Sequence, residues 1–231
     1  MNEPKVVIVM PAYNAAQTLK GTFEEIPPTF RKNIILVDDQ SSDGTAQIVQ
    51  DVSDPLVRVI IRRDNHGYAK SIRCGLEHAT GTKCVIVDSD FNHAPAEMPG
   101  MLRMLENYDF VSASRFLKGG KMTPMWRGIS SRTFDTFIRL ATGSRLTDNL
   151  YGFFAFKQRA LESCSQDDIF FGFGDYSMRF LFYLQKNKVK IWEVPSVCGP
   201  RFKGQGNKKL FRTFCRYFIQ TLMLSGKGRI I

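Results

Sequence analysis

The chain has 231 residues, of which 43% are hydrophobic, and this is enough to bury the core of an α/β domain, so a disordered protein is excluded. Its formal net charge of +10 indicates an anionic partner (phosphate groups, anionic lipid or nucleic acid) or a solvated basic surface. The five cysteines lack CxxC spacing and the three histidines form no obvious cluster, so free thiols are expected rather than structural zinc.

Targeting signals are not evident in the sequence. No run of about 18 apolar residues is present to form a transmembrane helix. Residues 1–4 do not begin a signal peptide, because no basic segment is followed by an apolar one. The expected location is therefore cytoplasmic, with peripheral attachment to a membrane surface left open.

The first half of the chain alternates predicted strands and helices. Apolar runs predict strands over residues 6–10, 33–37, 57–61, 83–87 and 110–113. Helical periodicity and cap residues predict helices over residues 16–26, 45–52, 67–79 and 95–106. This alternation predicts an α/β fold, with a mostly parallel sheet and helices on both of its faces.

The second half is less regular. It contains a predicted helix or helix pair over residues 125–142, an amphipathic helix over 175–187 and a strand over 189–194. The basic, glycine-rich residues 200–209 predict a mobile loop that suits a lid over phosphates. The final helix, over 210–224, has an aromatic face and a basic face, which suits either an interfacial membrane helix or a helix packed on the core.

Polar residues directly follow four predicted strands. They are residues 11–14, Asp38-Asp39, Asp88-Ser89-Asp90 and Ser114-Arg115. In parallel sheets, ligands bind beyond the carboxyl ends of the strands. We therefore expect these polar groups to converge on one site.

Asp88 and Asp90 carry the clearest chemical signal. Two carboxylates at a strand end suit Mg²⁺ or Mn²⁺, which prefer oxygen ligands and are often completed by substrate phosphates. Turn-forming aspartates are the alternative. At the second strand end, Asp38 and Asp39 have two interpretations, of which a second metal site is one. The favoured interpretation is that one aspartate accepts hydrogen bonds from a nucleobase or ribose while the other structures the loop. Residues 41–43 are interpreted as helix caps.

Several basic residues are candidate phosphate ligands, since arginine offers a bidentate fork and lysine a point charge. Ordinary surface charge is the alternative interpretation. The candidates are Arg115, Arg127, Arg201, Lys208 and Lys209. Nucleic acid is not expected as the partner, because the basic residues follow the strand-end pattern rather than alternating with aromatic residues on a platform.

Taken in order, these segments resemble the family 2 inverting glycosyltransferases, which have the GT-A fold, and within them the dolichol-phosphate mannosyltransferase-like branch. Residues 11–14 resemble the PxYN opening, and residues 37–45 resemble VDDgSsDGT. The other matching segments are residues 65–71, residues 88–95 (DADxQHPP), residues 114–120, Asp148 with Gly152-Phe153, and Glu193-Val194-Pro195 with Arg201 and Lys208-Lys209. The resemblance covers almost the whole chain.

The resemblance implies a role for each matched residue. The nucleoside would be held by Pro11, Tyr13, Val37 and Asp39. The nucleotide would contact Asp88 and Ser89, and the metal, Mg²⁺ or Mn²⁺, would be bound by Asp88, Asp90 and Asn92. The donor diphosphate or the acceptor phosphate would be held by Arg115, Arg127, Arg201, Lys208 and Lys209. We expect one domain over residues 1–231, with a nucleotide-sugar half (about 1–115) and an acceptor half (about 116–231).

The sequence departs from the family pattern at several places, including the loop after Arg201, which is one or two residues longer than in the family. Ala15 stands where the family usually has Glu, and Asn92 replaces a usual Gln. Leu150-Tyr151 replaces the small residues that usually precede the Gly-Phe pair. The last of these changes concerns the acceptor pocket.

The reaction implied is transfer of a hexose from a GDP-mannose or UDP-glucose type donor to a polyprenyl phosphate, with inversion. Asp90 and Arg115 are the predicted catalytic residues, and Asp175 joins them as the base if the acceptor is a sugar hydroxyl. Further partners considered are an anionic membrane surface and a separate membrane-anchor subunit. Two other functions stay open: a soluble transferase that extends a surface glycan, and a nucleotide-sugar-binding protein without catalysis.

Overall fold

The computed structural model describes residues 6–51, 57–199 and 210–230. The strands in these segments are β1 (Val6–Ala12), β2 (Ile34–Asp38), β3 (Val57–Ile61), β4 (Lys83–Ile86), β5 (Phe110–Ser114), β6 (Lys121–Met122), β7 (Phe154–Lys157), β8 (Ile191–Pro195) and β9 (Val197–Cys198). The α-helices are α1 (Ala16–Glu25), α2 (Thr45–Asp51), α3 (Tyr68–Glu77), α4 (Met98–Met104), α5 (Met125–Thr142), α6 (Gln158–Glu162), α7 (Gln166–Ile169), α8 (Tyr176–Lys186) and α9 (Leu210–Gly226). Short 3₁₀ helices span Pro28–Asn33 and Pro95–Glu97.

Seven strands form one sheet in the order β3-β2-β1-β4-β7-β5-β8. The pairs β3–β2, β2–β1, β1–β4 and β5–β8 are parallel, and β7 runs antiparallel to both β4 and β5. β6 and β9 pair separately in a small parallel ribbon. The prediction of a mostly parallel α/β sheet is confirmed, and this sheet takes strands from both predicted halves of the chain.

Strand β1 shows why the first strands have unbroken apolar sequences. Ile8 packs with Leu19 of α1 on one face of the sheet, and Val9 packs with Ile72 of α3 on the other. A strand covered on both faces needs apolar residues at every position. The covering helices lie close, because a Cβ on Gly75 of α3 would collide with the side chain of Val9.

The first strand continues through Pro11 to Ala12, beyond the predicted end at Met10. A proline inside a strand removes one N–H from the ladder. The backbone N–H and C=O groups of Val9 point towards β4, since its carbonyl accepts the N–H of Val87. The backbone nitrogen of Pro11 points the same way, because Pro11 lies two residues further along the strand. The pairing of β1 with β4 ends at Val9 and Ile86, so the missing N–H of Pro11 lies beyond the ladder.

Strand β7 lies near the middle of the sheet and was not predicted. Phe153 and Ala155 pack on one face, and Phe154 and Phe156 pack on the other. The strand is only four residues long, and its partners β4 and β5 lie far back in the sequence. The alternation of strands and helices that predicted the first five strands therefore does not predict β7.

The three helices predicted in the second half agree with α5, α8 and α9 to within a few residues, whereas the short helices α6 and α7 were not predicted. Residues 125–142 form one continuous helix, α5, rather than a pair. It ends at Gly143, whose φ of +78° is left-handed and whose N–H donates to Arg139 O.

Across the three described segments, no helix has the length and apolar character needed to cross a bilayer.

Candidate active site

An open cleft of about 1220 Å³ lies where β1, β2 and β4 end and α3 begins. Its opposite wall is built from residues 150–152, residues 172–174, Tyr176, Ser177 and α9. The predicted site residues that it brings together are Pro11, Tyr13, Asp39, Asp88, Ser89, Asp90, Asn92, Arg115 and Arg127. Arg201, Lys208 and Lys209 lie outside the described residues, as does the whole predicted basic loop over 200–209.

Three turns at the strand ends contain a non-glycine residue with left-handed backbone. These are Asn14 after β1 (φ +49°), Gln40 after β2 (+63°) and Phe91 after β4 (+61°). Such a conformation persists only where the surroundings hold it. The Asn14 N–H donates to Ser41 Oγ at 2.9 Å, and Asn14 Oδ1 accepts the N–H of Ser42 at 2.9 Å. The turns after β1 and β2 are therefore held as one unit.

The helix-capping interpretation of residues 41–43 is correct for Asp43 and wrong for the two serines. Asp43 Oδ1 accepts the N–H of Thr45, the first residue of α2, at 3.0 Å. Ser41 instead donates its hydroxyl to the Asp38 carboxylate and accepts from the turn after β1. Asp38 thus structures the loop.

Asp39 is the aspartate of this pair that reaches the cleft. Its Oδ1 accepts from Arg62 Nη1 at 2.6 Å, and its Oδ2 accepts the N–H of Gly67 at 2.8 Å. The Arg62 and Asp39 side chains are only 4% and 9% exposed. The pair fixes the carboxylate at the cleft rim, where its remaining lone pairs can still accept a hydrogen bond from a ligand.

Tyr13 and His66 flank the same end of the cleft. Tyr13 is 56% exposed, and its ring lies edge-on to His66 with 5.4 Å between centroids. An exposed aromatic ring beside an acceptor suits the flat face of a nucleobase.

Val37, predicted to contact the base, lies in the core. Its side chain packs with Val7 and Ile35, and Val37 is not among the described residues that line the cleft. A Cβ on Gly75 of α3 would lie 3.1 Å from Val37 Cγ2, so this strand position faces the covering helix. The predicted contact of the Val37 side chain with a ligand is corrected accordingly.

Asp88 and Asp90 both reach the cleft from the loop after β4, and both are partly exposed. The Tyr68 hydroxyl donates to Asp88 Oδ1, and Asp90 Oδ1 accepts the N–H of Asn92 at 3.1 Å. Burial, and then the negative charge of Asp88, raise the pKa of Tyr68 well above its usual value. The hydroxyl therefore stays protonated and keeps orienting Asp88.

Ser89 holds the loop to the rest of the sheet. Its hydroxyl donates to Pro11 O at 3.0 Å, and its carbonyl accepts from Thr18 Oγ1 of α1 at 2.7 Å. Ser89 lines the cleft, but its hydroxyl is engaged by the end of β1. Its position joins the ends of β1 and β4.

His93 fixes the same loop from the protein interior. Its Nδ1 accepts the N–H of Asp88 at 3.0 Å, so its proton lies on Nε2, which donates to Tyr151 O at 3.2 Å. Nε2 also lies 3.5 Å from Asp88 Oδ2, and the ring stacks on Phe153 at 4.9 Å. His93 belongs to a segment noted in the sequence, where no role was predicted for it. The structure shows it as a support for Asp88.

Asn92 is tethered on two sides. Its Oδ1 accepts from Cys198 Sγ at 3.1 Å, and its carbonyl accepts the Tyr151 hydroxyl at 3.0 Å. The predicted metal role of Asn92 requires that same Oδ1 atom. Asn92 Oδ1 is thus already engaged by Cys198, and the carboxylates of Asp88 and Asp90 are the better candidates for metal ligands in the cleft.

The two carboxylates fit a Mg²⁺ or Mn²⁺ ion that is completed by substrate phosphates. Such ions are commonly bound through one or two carboxylates together with phosphate oxygens and water. Within residues 6–51, 57–199 and 210–230, no group of three or more His, Cys, Asp or Glu side chains could hold a metal ion. Asp88 and Asp90 therefore suit an ion that is shared with a bound diphosphate.

Arg115 enters the cleft from the end of β5 already paired. Its Nε and Nη2 donate to the two oxygens of Asp148 at 2.7 and 2.8 Å, and its guanidinium lies 4.9 Å from the Tyr151 ring centroid. Burial opposes the charge on Arg115, but Asp148 outweighs it and raises the pKa of Arg115. The arginine stays charged at the cleft wall.

Asp148 is itself held by its neighbours in the fold. It follows Thr147, whose N–H donates to both carboxylate oxygens of Glu193 on β8 at 2.9 Å. Burial raises the pKa of Glu193, and the hydrogen bonds from Thr147 oppose that rise. Glu193 was noted in the sequence as part of a motif, and the structure shows it as the support of the turn that carries Asp148.

The cleft is also lined by basic residues from two helices. Arg127 lies in the first turn of α5, and Arg212 and Arg216 lie on α9 beside Tyr217. Arg212 and Arg216 were noted only as the basic face of the final helix. The structure places part of that face in the cleft.

Asp175 does not line the cleft within the described part of the chain. It is 0% exposed, its Oδ1 accepts the N–H of Phe173 at 2.9 Å, and its Oδ2 pairs with Arg179 Nη1. A base must approach the proton that it removes. The prediction that Asp175 serves a hydroxyl acceptor as base is therefore not supported by its position.

Comparison with known proteins relates this cleft to a family of transferases. The sequence matches Glycosyl transferase family 2 over residues 7–164. It is 29% identical over 214 residues to a dolichol-phosphate mannosyltransferase of Pyrococcus furiosus, covering 89% of this chain and 59% of that one. It is 28% identical to the Saccharomyces cerevisiae dolichol-phosphate mannosyltransferase, covering 86% and 79%. It is 29% identical to a Micrococcus luteus undecaprenyl-phosphate mannosyltransferase, covering 83% and 82%.

Among solved structures, the glucosyl-3-phosphoglycerate synthase of Mycobacterium tuberculosis with Mn²⁺ and UDP-glucose is similar at a TM-score of 0.73 and 19% identity. The similarity covers 96% of this chain and 79% of that one, and it establishes the GT-A fold. The family match spans more than half of the chain and includes the turns after β1, β2 and β4 that build the cleft floor. The chain is accordingly a member of glycosyl transferase family 2.

Proposed function

We propose that the protein transfers a hexose from a nucleotide-sugar of the GDP-mannose or UDP-glucose type to a polyprenyl phosphate, with inversion. The observation that carries the proposal is one cleft with two partly exposed carboxylates on its floor and several arginines along its walls. The carboxylates are Asp88 and Asp90, and the arginines are Arg115, Arg127, Arg212 and Arg216. Such a site suits two phosphate-bearing substrates held side by side.

The names of the relatives support this choice of acceptor. Those from P. furiosus and S. cerevisiae are named for mannose and dolichol phosphate, and that from M. luteus for mannose and undecaprenyl phosphate. The chain spans 59% of the length of the P. furiosus relative. The acceptor is therefore part of the proposal.

At the donor end of the cleft, defined by Tyr13, Asp39, Asp88 and Asp90, the nucleoside would lie against Tyr13 and donate to Asp39. Mg²⁺ or Mn²⁺ held by Asp88 and Asp90 would offset the charge of the diphosphate as it leaves. Tyr68 and His93 keep Asp88 in place through their hydrogen bonds. Arg201, Lys208 and Lys209 stay predicted phosphate ligands from the loop outside the described residues.

At the acceptor end, defined by Arg115, Tyr151 and residues 172–174, Arg115 and its neighbours would hold the acceptor phosphate. A phosphate monoester has a second pKa of about 6, so it is largely a dianion near neutral pH. Its oxygen can attack without a base, which agrees with the burial of Asp175 against Arg179. The protein's task is to position two anions, and attack from the face opposite the diphosphate inverts the sugar.

A peripheral membrane location is part of the proposal. Helices α5 and α9 pack through Phe134–Phe214 and Phe137–Phe218 ring contacts at 5.0 and 5.1 Å. Beside these contacts they expose Met125, Trp126, Ile129, Phe214, Ile219, Leu222 and Met223. The one acidic residue of the two helices, Asp135, is buried. We propose that this apolar surface rests on the cytoplasmic side of an anionic membrane. The comparisons lend no support to a separate membrane-anchor subunit.

A donor and acceptor screen with the purified chain tests the proposal. GDP-mannose and UDP-glucose are each incubated with Mg²⁺ or Mn²⁺ and with undecaprenyl or dolichyl phosphate in detergent. We expect metal-dependent release of GDP or UDP together with a glycolipid product. Transfer only to a saccharide hydroxyl would favour glycan extension, and nucleotide binding without turnover would favour a non-catalytic binding protein.

The first variant to test is Asp90→Asn, because it removes one carboxylate from the cleft floor. We expect a loss of about 100-fold or more in kcat/KM, which corresponds to roughly 3 kcal/mol of transition-state stabilisation. Asp167→Asn is the matched control, since Asp167 is 84% exposed outside the cleft lining. Equal activity of the two variants would contradict the role of Asp90.

A further inference from the structure

We infer that Asp175 and Arg179 form a buried positioning pair that shapes the acceptor end of the cleft, a role that rests on the proposed function. Neither residue lines the cleft in the described part of the chain, yet the segment that they hold does. That segment, residues 171–174, is called the cleft loop below. It connects the end of α7 to the start of α8.

Arg179 anchors the cleft loop from the first turn of α8. It is 1% exposed, and its guanidinium reaches three acceptors on the loop and its flanks. Nε donates to Ile169 O at 2.9 Å, Nη2 donates to Phe171 O, and Nη1 pairs with Asp175. Its guanidinium also lies 3.7 Å from the centroid of the Phe171 ring. The fork of donors in one arginine thus fixes both the start and the end of the loop.

Asp175 completes the anchor from the other side of the cleft loop. One oxygen pairs with Arg179, and the other accepts the N–H of Phe173 at 2.9 Å. Both oxygens are therefore used within the fold. An arginine without Asp175, or the aspartate without Arg179, would leave a buried charge uncompensated.

The shape of the loop requires its two glycines. Gly172 has a φ of +75°, and a Cβ on it would lie 3.2 Å from each Asp175 carboxylate oxygen. A Cβ on Gly174 would lie 2.5 Å from the Tyr217 hydroxyl of α9. The loop backbone is therefore confined between the ion pair and the last helix.

The confined loop forms one wall of the acceptor end. Gly172, Phe173 and Gly174 line the cleft, and the Phe173 ring lies 5.6 Å from Tyr68. Tyr68 donates to Asp88, so the loop abuts the point where the two substrates would meet. At the donor end, Tyr13 and Asp39 are held by other contacts, namely His66, Arg62 and Gly67. Asp88 keeps its backbone hydrogen bond to His93, which does not involve the cleft loop. Loss of the anchor should therefore weaken acceptor binding and leave nucleotide binding intact.

The test uses the full chain with Asp175→Asn. Either orientation of the new amide places its NH₂ group against a donor, on Phe173 or on Arg179. Two readouts are made: hydrogen exchange of the Phe173 amide, and the KM for polyprenyl phosphate beside the Kd for the nucleoside diphosphate with Mn²⁺. We expect faster Phe173 exchange, an acceptor KM raised about tenfold or more, and a nucleotide Kd within about twofold of wild type.

Conservative and control variants sharpen the result. Arg179→Lys keeps the charge but cannot reach all three acceptors, so we expect the same pattern in weaker form. Glu77→Gln breaks an exposed i, i+4 ion pair with Arg73 on α3, away from the cleft, and should leave both readouts unchanged. Should Asp175→Asn fail to fold, Gly174→Ala decides by the same two readouts, because it displaces the loop and leaves the ion pair in place.

Three results would overturn the inference. One is Phe173 exchange and an acceptor KM that both stay within about twofold of wild type. Another is a nucleotide Kd that weakens as much as the acceptor KM. The third is a kcat that falls while Phe173 exchange and acceptor KM do not change, which would assign Asp175 to proton transfer. If the wild-type chain does not use polyprenyl phosphate, the proposed function is refuted. Hydrogen exchange of the Phe173 amide in Asp175→Asn would still test whether Asp175 and Arg179 hold the cleft loop.

Discussion

Asp88 and Asp90 at the donor end of the cleft are partly exposed, whereas Asp148 and Asp175 at the acceptor end are 0% exposed and each is paired with an arginine. The donor end thus presents the carboxylates of Asp88 and Asp90 to a ligand, although Asp39 beside them is paired with Arg62. At the acceptor end, the charge of both aspartates is neutralised within the protein. The two anionic substrates of the proposed reaction would explain the difference, because carboxylates can share a cation with a diphosphate but would repel an acceptor phosphate. The aspartates at the acceptor end hold arginines and backbone in place.

The largest effect on stability is expected for Asp148→Asn, which tests the acceptor end directly. The change leaves the buried Arg115 guanidinium without its bidentate partner. Breaking a buried pair from one side costs about 3–5 kcal/mol, and urea unfolding should show a loss of this size. Asp90→Asn should unfold within about 1 kcal/mol of wild type, because Asp90 is partly exposed. Equal stability losses in both variants would show that the aspartates of the donor end and the acceptor end do not differ in this way.

A second effect on stability, with a defined pH dependence, is expected for Asp135→Asn. Asp135 of α5 is 1% exposed, and its Oδ1 accepts the N–H of Asn149 at 2.7 Å. Burial, and then the nearby Asp148, raise the pKa of Asp135 from 3.8 to about 7. Between about pH 4 and 7 the folded chain keeps this proton while the unfolded chain releases it, so stability falls as the pH rises through that window.

Asn stays neutral at every pH, so the variant should lack this decline. We expect Asp135→Asn to gain about 4 kcal/mol relative to wild type between pH 4 and 8, because a pKa raised from 3.8 to about 7 corresponds to roughly 1.4 kcal/mol for each pKa unit. Denaturant unfolding of both proteins at several pH values measures the difference. A constant difference across that range would show that Asp135 does not carry a raised pKa.

The smallest effect is expected for Tyr13→Ala at the exposed donor end. Loss of a stacked ring should raise the donor KM about tenfold, which corresponds to roughly 1.4 kcal/mol. The free energy of unfolding should change by less than about 0.5 kcal/mol, because Tyr13 is 56% exposed. Tyr13→Phe keeps the ring and is the matched control. An unchanged donor KM in Tyr13→Ala would show that the nucleobase of the donor does not stack on Tyr13.

The donor end was largely predictable from the sequence, because its residues follow buried parallel strands. Asp39, Asp88 and Asp90 each lie within three residues of the end of an apolar run, and such strand ends meet at one edge. The same reasoning applied to β3 would have singled out Arg62, which follows Ile61 and pairs with Asp39. That residue was missed although its signal was present.

Arg115 at the acceptor end was predicted in the same way, but the pairings that hold this end were not. Asp148 and Arg115 are 33 residues apart, and they meet because the turn after α5 is held by Glu193 of β8. Asp175 has the residue type of a base, but its pairing with Arg179 depends on how α8 starts. Both outcomes come from long-range packing, and a short motif in the sequence carries no information about it.

Strand β7 has a consequence for synthesis of the chain. It covers one edge of β4 and one edge of β5, so residues 6–114 alone would leave those backbone edges without their partner. Bare strand edges pair readily with other chains. On the ribosome, residues 6–114 therefore cannot complete the sheet until Phe154–Lys157 has emerged. A chain cut between residues 115 and 116 is expected to aggregate unless both pieces are made together.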